Sequence, residues 1–141
     1  MSETGRPASE EGAVGRIPIR SARAPQPIGP YSQAILAGDV LYLSGQIPLD
    51  PATGQLVEGD VRAQAERVFA NLRAVLEAAG TDFSLANIVR TTVYVVDLAD
   101  FPVVNQAYQE TFAEPFPARS TVQVSALPAG ARMEIDAIAV R

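Results

Sequence analysis

The sequence predicts an α/β domain with a mixed sheet and two helices on one face of it. Several segments alternate apolar and polar residues with the period of two that is typical of β-strands. Two other segments place apolar residues three and four positions apart, which is typical of amphipathic helices. The segments follow one another in the order β-β-α-β-α-β-β, and two helices can cover only one face of a sheet this wide.

The first predicted elements are two short strands that form a hairpin. Residues 32–37 and 40–44 alternate, and Gly38-Asp39 between them is a strong signal for a tight turn. Residues 17–20 are extended ahead of the hairpin. They lead into a loop over 24–30, whose shape is restricted by three prolines and a glycine.

The chain ahead of these elements is predicted to be a tail. Residues 1–16 are small, polar and without periodicity, so we expect them to be disordered. Residues 17–141 are then expected to form one domain, because a chain of 141 residues that is 48% hydrophobic suits a single core.

The two predicted helices are delimited by capping residues. Asp60 is a good N-cap and Gly80 a good stop for the first helix. Its single apolar stripe consists of Val61, Ala65, Val68, Leu72, Val75, Leu76 and Ala79. Asp100 is the predicted cap of the second helix, which runs to about Phe112 and tolerates Pro102 in its first turn.

Three further strands complete the predicted sheet, over 88–97, 116–124 and 133–139. In the last two, polar groups occupy positions where a strand that faces a core would be apolar. One side carries Arg119, Thr121, Gln123, Glu134 and Asp136, and the other carries Val122, Val124, Met133, Ile135, Ala137 and Ala139. We therefore expect Arg119 and Glu134 to share the less apolar side of the sheet, either as a solvated surface or as a site.

The sheet face opposite the helices is expected to retain apolar side chains. Alternation places Tyr94, Val96, Ile138 and Val140 on that face. An apolar face left open to water is unfavourable, so we expect another subunit to cover it. The interface of this predicted homo-oligomer would run beside Arg119 and Glu134.

The composition excludes several kinds of chemistry. The chain has no histidine, cysteine or tryptophan, and all 11 of its basic residues are arginine. A Ser-His-Asp or Cys-His system, a lysine Schiff base and a disulfide therefore cannot be built. A zinc site would lack its usual ligands, and we expect no metal site. Carboxylates, arginine, hydroxyls, backbone groups and water remain for catalysis.

The charge pattern argues against a nucleic-acid partner. The net charge is −5, the pI is about 4.6, and the arginines are scattered along the chain. The N-terminus lacks the apolar region of a signal peptide, and no segment is long enough to span a membrane. We expect a cytoplasmic protein that binds neither nucleic acid nor membrane.

Five blocks of sequence carry a resemblance to a known family. They are IGPYSQA at 28–34, LSGQIP at 43–48, NL at 71–72 with VLEAAG at 75–80, FPARS at 116–120 and EIDAIA at 134–139. Together and in this order they resemble the RidA (YjgF-type) imine deaminase family, over about 17–141. The resemblance implies a chorismate-mutase-like fold and a homotrimer with active sites in clefts between subunits. It also implies hydrolysis, without any cofactor, of 2-imino acids or their enamine tautomers released by pyridoxal-phosphate enzymes.

Arg119 and Glu134 are the candidate catalytic residues. A guanidinium offers two parallel donors that match the carboxylate of a 2-imino acid, and Arg119 stands where the family binds that carboxylate. Otherwise Arg119 is a surface arginine or the partner of Glu134 or Asp136. A partly desolvated carboxylate such as Glu134 can direct water and move protons, although it could also be an exposed edge charge. Asp136 is expected to be structural or supporting.

The remaining candidates are substrate-binding residues. The resemblance places Tyr31, Ser44, Gly45, Asn105 and Thr121 around the substrate. Many relatives have cysteine at the position of Thr121. Tyr31 follows a rigid Gly-Pro, and the glycine after Ser44 allows a ligand to approach the backbone. Tyr31 could instead be a tyrosine at the edge of the core, and Gly45 an ordinary glycine at the end of a strand. Asn105 could be a solvent-facing asparagine on its helix.

Two other functions remain open from the sequence. The chain could be a non-catalytic trimer that binds small carboxylates for sensing or for regulating a partner. It could also be a holdase-like or translation-linked protein, as proposed for some relatives of the family.

Overall fold

The computed structural model describes residues 15–141, which form a six-stranded sheet with two helices. The strands are β1 Ile17–Ile19, β2 Ala34–Ala37, β3 Val40–Gln46, β4 Ile88–Val95, β5 Ala118–Gln123 and β6 Met133–Val140. The helices are α1 Val61–Ala79 and α2 Phe101–Thr111. The predicted α/β class is confirmed, while residues 1–14 of the expected tail lie outside the described part of the chain.

The strands lie in the order β1-β2-β3-β6-β4-β5. All neighbouring pairs are antiparallel except β4 and β5, which are parallel, so the sheet is mixed as predicted. The predicted hairpin joins β2 to β3, and Gly38 at its turn has a positive φ of 61°. The chain reaches β5 from β4 through α2, which is the crossover that a parallel pair requires.

The sheet has one strand more than predicted, because residues 17–19 pair with β2 as an edge strand. Pro18 lies in the middle of this strand and has no amide hydrogen to donate. An edge position tolerates that loss, since one side of the strand needs no partner.

Both helices pack on the same face of the sheet, as predicted. The fully buried side chains include Leu72 and Val75 of α1, Leu41 of β3, Val93 of β4 and Ile135 of β6. Asp60 caps α1 as expected, since its carboxylate accepts a hydrogen bond of 3.0 Å from the amide of Ala63. Gly80, at a φ of 146°, follows the end of that helix.

The predicted capping of α2 is wrong in its chemistry. Asp100 does precede the helix, but its carboxylate accepts two hydrogen bonds from the Arg132 guanidinium, at 2.7 and 3.1 Å. A two-pronged bond to a cation is stronger than a neutral cap, so it takes the carboxylate. The cap lies one short turn earlier, where Asp97 accepts a hydrogen bond from the amide of Ala99 at 2.9 Å.

The face opposite the helices is open in the single chain and carries large apolar groups, as predicted. Tyr42 is 50% exposed, Val122 41% and Val140 38%, whereas Tyr94 and Ile138 are half-buried there. The second subunit that we expected on this face stays a prediction. No helix among residues 15–141 is long and apolar enough to cross a membrane.

The strand register corrects the expectation that Arg119 and Glu134 share one side of the sheet. Arg119 is level with Thr91, which is fully buried on the helix side. Glu134 is level with Tyr94 on the open side. Alternation assigns residues to faces only within one strand. Because β4 lies between β5 and β6, the register of β4 with each of them determines which face of β5 matches which face of β6.

Candidate functional site

The first group of candidate residues surrounds Arg119 on the helix side of the sheet. Its guanidinium carbon lies 4.7 Å from the centre of the Tyr108 ring and 5.1 Å from that of Phe101. Its Nη1 donates a hydrogen bond of 2.8 Å to Oδ1 of Asn105, one helical turn after Phe101. Helix α2 therefore supplies all three groups that orient the cation.

These supports are themselves fixed by the core. The hydroxyl groups of Tyr108 and Thr91 are hydrogen-bonded at 2.8 Å, and the Tyr108 ring packs edge-on against Phe69. Burial raises the pKa of Tyr108, so the hydroxyl remains neutral in the physiological range. The ring under Arg119 is thus a fixed platform rather than a loose surface contact.

An open pocket of about 380 Å³ adjoins this cation. We refer to it as the arginine pocket, and its lining residues are Asn105, Tyr108, Gln109, Phe116, Pro117 and Arg119. Within residues 15–141, Arg119 forms no ion pair with a carboxylate, so its other donors remain available for a ligand. Thr121 lies two residues further along the same face of β5 and is half-buried.

The second group of candidates forms another pocket, of about 420 Å³, around Glu134. This glutamate pocket is lined by the predicted residues Tyr31, Ser44, Gly45 and Glu134, together with apolar side chains that include Ile28, Ile47, Leu49 and Pro128. The Tyr31 side chain is 52% exposed. Of the described residues that line this pocket, Glu134 alone is charged.

Gly45 makes room for the Glu134 carboxylate. A Cβ atom at position 45 would lie 1.8 Å from Oε2 of Glu134, far inside any contact distance. The strand pairing between β3 and β6 is irregular at this point, between Leu43 and Gln46. The carboxylate therefore lies directly over the backbone of β3, and only a glycine there permits that position.

The environment of Glu134 favours its neutral form. Burial raises the pKa of the Glu134 carboxyl above its usual value, and the neighbouring Asp136 charge raises it further. Across residues 15–141 no hydrogen-bond donor or cation pairs with this carboxylate. Asp136 differs, because its Oδ2 accepts a hydrogen bond of 2.9 Å from the Tyr94 hydroxyl. A half-buried, unpaired carboxylate is suited to exchanging protons with a bound molecule.

Gln33 lines the glutamate pocket and is 2% exposed. Its side-chain amide donates 2.8 Å to the carbonyl of Pro25 and accepts 2.6 Å from the amide of Ser21. Its backbone carbonyl accepts a hydrogen bond from the Ser44 amide, and the Ser44 hydroxyl donates 2.6 Å to the carbonyl of Ser32. The loop that presents Tyr31 is thereby fixed to β3.

The structure thus brings the predicted residues together as two separate sets. Arg119 and Asn105 form one set, and Tyr31, Ser44, Gly45 and Glu134 form the other. Within one chain the sets lie on opposite faces of the sheet. Sequence reasoning did not single out Phe101, Tyr108 or Gln33. A polar Gln inside an apolar strand pattern was the available signal for Gln33, whereas the two rings are recognisable only from the register of α2 on β5.

The donor set of the described residues does not suggest a metal centre. No three His, Cys, Asp or Glu side chains within 15–141 are close enough to hold an ion. Asp136 and Glu134 are adjacent on one face, but no third carboxylate of the described residues joins them.

Comparisons with known proteins agree with this fold. Residues 21–141 match the family described as Endoribonuclease L-PSP. Protein DfrA of Myxococcus xanthus is 58% identical over 129 residues, which are 90% of this chain and 97% of that protein. The human 2-iminobutanoate/2-iminopropanoate deaminase is 49% identical over 123 residues, 87% of this chain and 88% of that protein.

A solved structure shares the fold over the same range. The Rid family protein YyfA from Yersinia pestis superposes with a TM-score of 0.86 at 46% identity, covering 90% of this chain and 100% of that one. The fold defines an α/β protein of the Rid type. This chain belongs to the RidA/YjgF family, whose description and relatives carry more than one functional name.

Proposed function

We propose that this protein is a deaminase that hydrolyses 2-imino acids such as 2-iminobutanoate and 2-iminopropanoate, or their enamine tautomers, to 2-oxo acids and ammonia. The observation that carries the proposal is that Arg119 is oriented by its neighbours but has no anionic partner within residues 15–141. Its guanidinium is oriented by two rings and an amide, faces an open pocket, and has no carboxylate partner within residues 15–141. A substrate carboxylate supplies that missing partner. The name of the human relative supports the same substrate class.

Glu134 performs the proton transfers in this proposal. The protonated imine carbon accepts the oxygen of a water molecule, and the Glu134 carboxylate removes one of the water's protons. The same carboxyl then delivers that proton to the nitrogen. As ammonia leaves and the carbonyl forms, the Glu134 carboxylate takes the proton of the new hydroxyl group and releases it to water, which balances the proton that the protonated imine brought in. A 2-imino acid and one water thus yield one 2-oxo acid and one ammonia, and no external oxidant or cofactor enters the balance.

The active site requires more than one subunit. Arg119 and Glu134 lie on opposite faces of the sheet in one chain, so neither can act on a small molecule held by the other. A homotrimer in which the arginine pocket of one subunit meets the glutamate pocket of the next brings the two together. The exposed apolar groups on the open sheet face support such an association. Tyr31, Gly45, Asn105 and Thr121 then shape one shared cleft.

The activity is tested with enamine made in place by a threonine or serine dehydratase. Semicarbazide traps the imine, and an active deaminase suppresses the semicarbazone. We expect suppression by the native protein and by Arg73→Ala, which removes an exposed arginine of α1, but not by Arg119→Ala. Equal suppression by the native protein and Arg119→Ala would show that the carboxylate-binding role is wrong.

The shared cleft is tested by mixing two inactive variants. In trimers re-formed from equal amounts of Arg119→Ala and Glu134→Gln subunits, about a quarter of the clefts combine an intact arginine with an intact glutamate. We expect about that fraction of native activity to return after subunit exchange. If both residues act within one chain, mixing restores nothing.

A second candidate function is a non-catalytic trimer that binds small carboxylates for sensing or regulation. It is favoured by the completeness of the arginine pocket, which could hold a carboxylate without help from Glu134. It predicts saturable binding of 2-oxo acids without turnover, and a Glu134→Ala variant that retains its function in cells.

A further inference from the structure

Asp136 and Tyr94 stand beside the proposed proton carrier and take no part in the mechanism described above. Asp136 follows Glu134 by two residues on the same face of β6, so the bases of the two side chains are roughly 7 Å apart. Tyr94 is level with Glu134 on β4, and its hydroxyl donates 2.9 Å to Asp136 rather than to Glu134. Asp136 therefore has a hydrogen-bond donor, whereas Glu134 has none in the part of the chain that the structure describes.

We propose that Asp136 and Tyr94 act as a positioning pair that makes Glu134 the carboxylate that takes up the proton. The Tyr94 hydroxyl donates to Oδ2 of Asp136, so this carboxylate already has a hydrogen-bond donor. Two like charges on one face oppose each other, so a proton that enters the pair goes to the carboxylate with no donor. This inference deepens the proposed function and rests on it, because it concerns how Glu134 is prepared for proton transfer.

Among residues 15–141 the surroundings of Glu134 offer no other charged group that faces it. On β4 the facing group is Tyr94, and on β3 it is Gly45, which brings no charge. The loop contributes Tyr31. Arg90 and Tyr42 face the same side but are level with Ile138, four residues further along β6. The Arg90 guanidinium also donates to Ser120, away from Glu134.

The direction of the pKa effects agrees with this geometry. Burial raises the pKa of Glu134, and Asp136 is the charge that raises it further. The hydrogen bond to Asp136 is the main cause that raises the pKa of Tyr94, which keeps the hydroxyl protonated and able to donate. Glu134 and Tyr94 therefore both favour their protonated forms beside Asp136.

The test measures the titration of Glu134 directly and its consequence for the rate. The ¹³C resonance of the Glu134 carboxyl is followed against pH in the full-length native protein, Asp136→Asn, Tyr94→Phe and the control Glu58→Gln, an exposed carboxylate outside the sheet. We expect the midpoint of the Glu134 titration to move to lower pH in Asp136→Asn. In Tyr94→Phe the donor to Asp136 is lost and Glu134 is no longer the preferred place for the proton, so we expect the midpoint of the Glu134 titration to move to lower pH as well. Glu58→Gln should match the native protein.

The rate profile adds a second readout. At acid pH the rate falls because Glu134 loses its ionised form. In this range the rate of Asp136→Asn, as a fraction of its plateau rate, should be about three- to sevenfold higher than that of the native protein. A structural role alone would lower the plateau without moving the limb. An unchanged Glu134 midpoint in both Asp136→Asn and Tyr94→Phe overturns the inference.

The two proposals fail in different ways. If the native protein suppresses no semicarbazone, the deaminase function is wrong, and the carboxyl titration still decides whether Asp136 and Tyr94 control Glu134. If the native protein is active and the midpoint does not move, the positioning pair alone is wrong. Tyr94→Phe keeps the ring and the strand pairing, so it serves where Asp136→Asn folds poorly.

Discussion

The arginine pocket and the glutamate pocket hold their charges in opposite ways. Arg119 lies over two aromatic rings, donates a hydrogen bond to the Asn105 amide oxygen, and is part of the packing of α2 on the sheet. Glu134 has no hydrogen-bond partner within residues 15–141 and lies over a bare glycine. One charge is thus stabilised by its surroundings, and the other is made more costly by them.

This difference corresponds to two kinds of task. A cation that must bind an anion benefits from being fixed beforehand, because the ligand then loses less free energy in ordering it. A carboxylate that must gain and lose a proton benefits from a raised pKa, which brings the proton affinity nearer to working pH. Substitutions in each pocket test whether the two pockets differ in this way.

The largest expected effect is that of Glu134→Gln, which keeps the shape and removes the proton transfer. We expect kcat to fall about 10²- to 10⁴-fold with little change in KM. The folded-state pKa of Glu134 is raised, so its stabilising contribution is present at acid pH and is lost as pH rises through that pKa. The variant should therefore melt at a higher temperature than the native protein at neutral pH, and an unchanged or lower Tm would contradict the claim that this charge is costly.

Gly45→Ala is expected to have the next largest effect. The added methyl group occupies the place of Oε2, and the flexible end of Glu134 must swing away. A displacement of about 1 Å at a reacting group can cost about 10²-fold in kcat/KM. Gly38 has no atom within 4 Å of an added Cβ, but its positive φ makes it a poor control. Gly15→Ala, in open space outside the strands, is the matched control and should leave the rate unchanged.

Much of the fold was predictable because its signals are local. The cap at Asp60, the stripe of α1 and the turn at Gly38 depend on residues close in sequence, and each was found in place. Asp100 was mispredicted because its partner, Arg132, is 32 residues away. Long-range pairing of that kind leaves no mark on the residues around either partner.

The candidate site shows the same division. The residue types of Arg119 and Glu134 indicated carboxylate binding and proton transfer. The resemblance to a family indicated which positions of the chain carry these roles. Their placement on opposite faces depends on β4 lying between β5 and β6, with a parallel pair on one side and an antiparallel pair on the other. Strand order of this kind is a property of the whole sheet, so alternation within single strands could not reveal it.

Arg119→Lys tests whether the orientation of the cation matters beyond its charge. Lysine keeps one positive charge but loses the planar fork and much of the stacking on Tyr108 and Phe101. The loss of one charged hydrogen bond, about 2 kcal/mol, corresponds to about a thirtyfold fall in kcat/KM. It should appear mainly in KM, and Tm should fall, in contrast to Glu134→Gln. Arg73→Lys on the exposed side of α1 is the control.

The smallest expected effect is that of Asn105→Ala, which removes the amide oxygen that accepts from Nη1 of Arg119. The two rings still hold the guanidinium, so only its rotation about the ring planes is released. We expect a rise in KM of about fivefold, from about 1 kcal/mol for one hydrogen bond, with kcat nearly unchanged. Gln106→Ala, at the next and exposed position of α2, should show neither change. A fall in kcat as large as that of Glu134→Gln would mean that Asn105 acts on the reacting atoms, and that the two pockets do not divide binding from proton transfer as argued here.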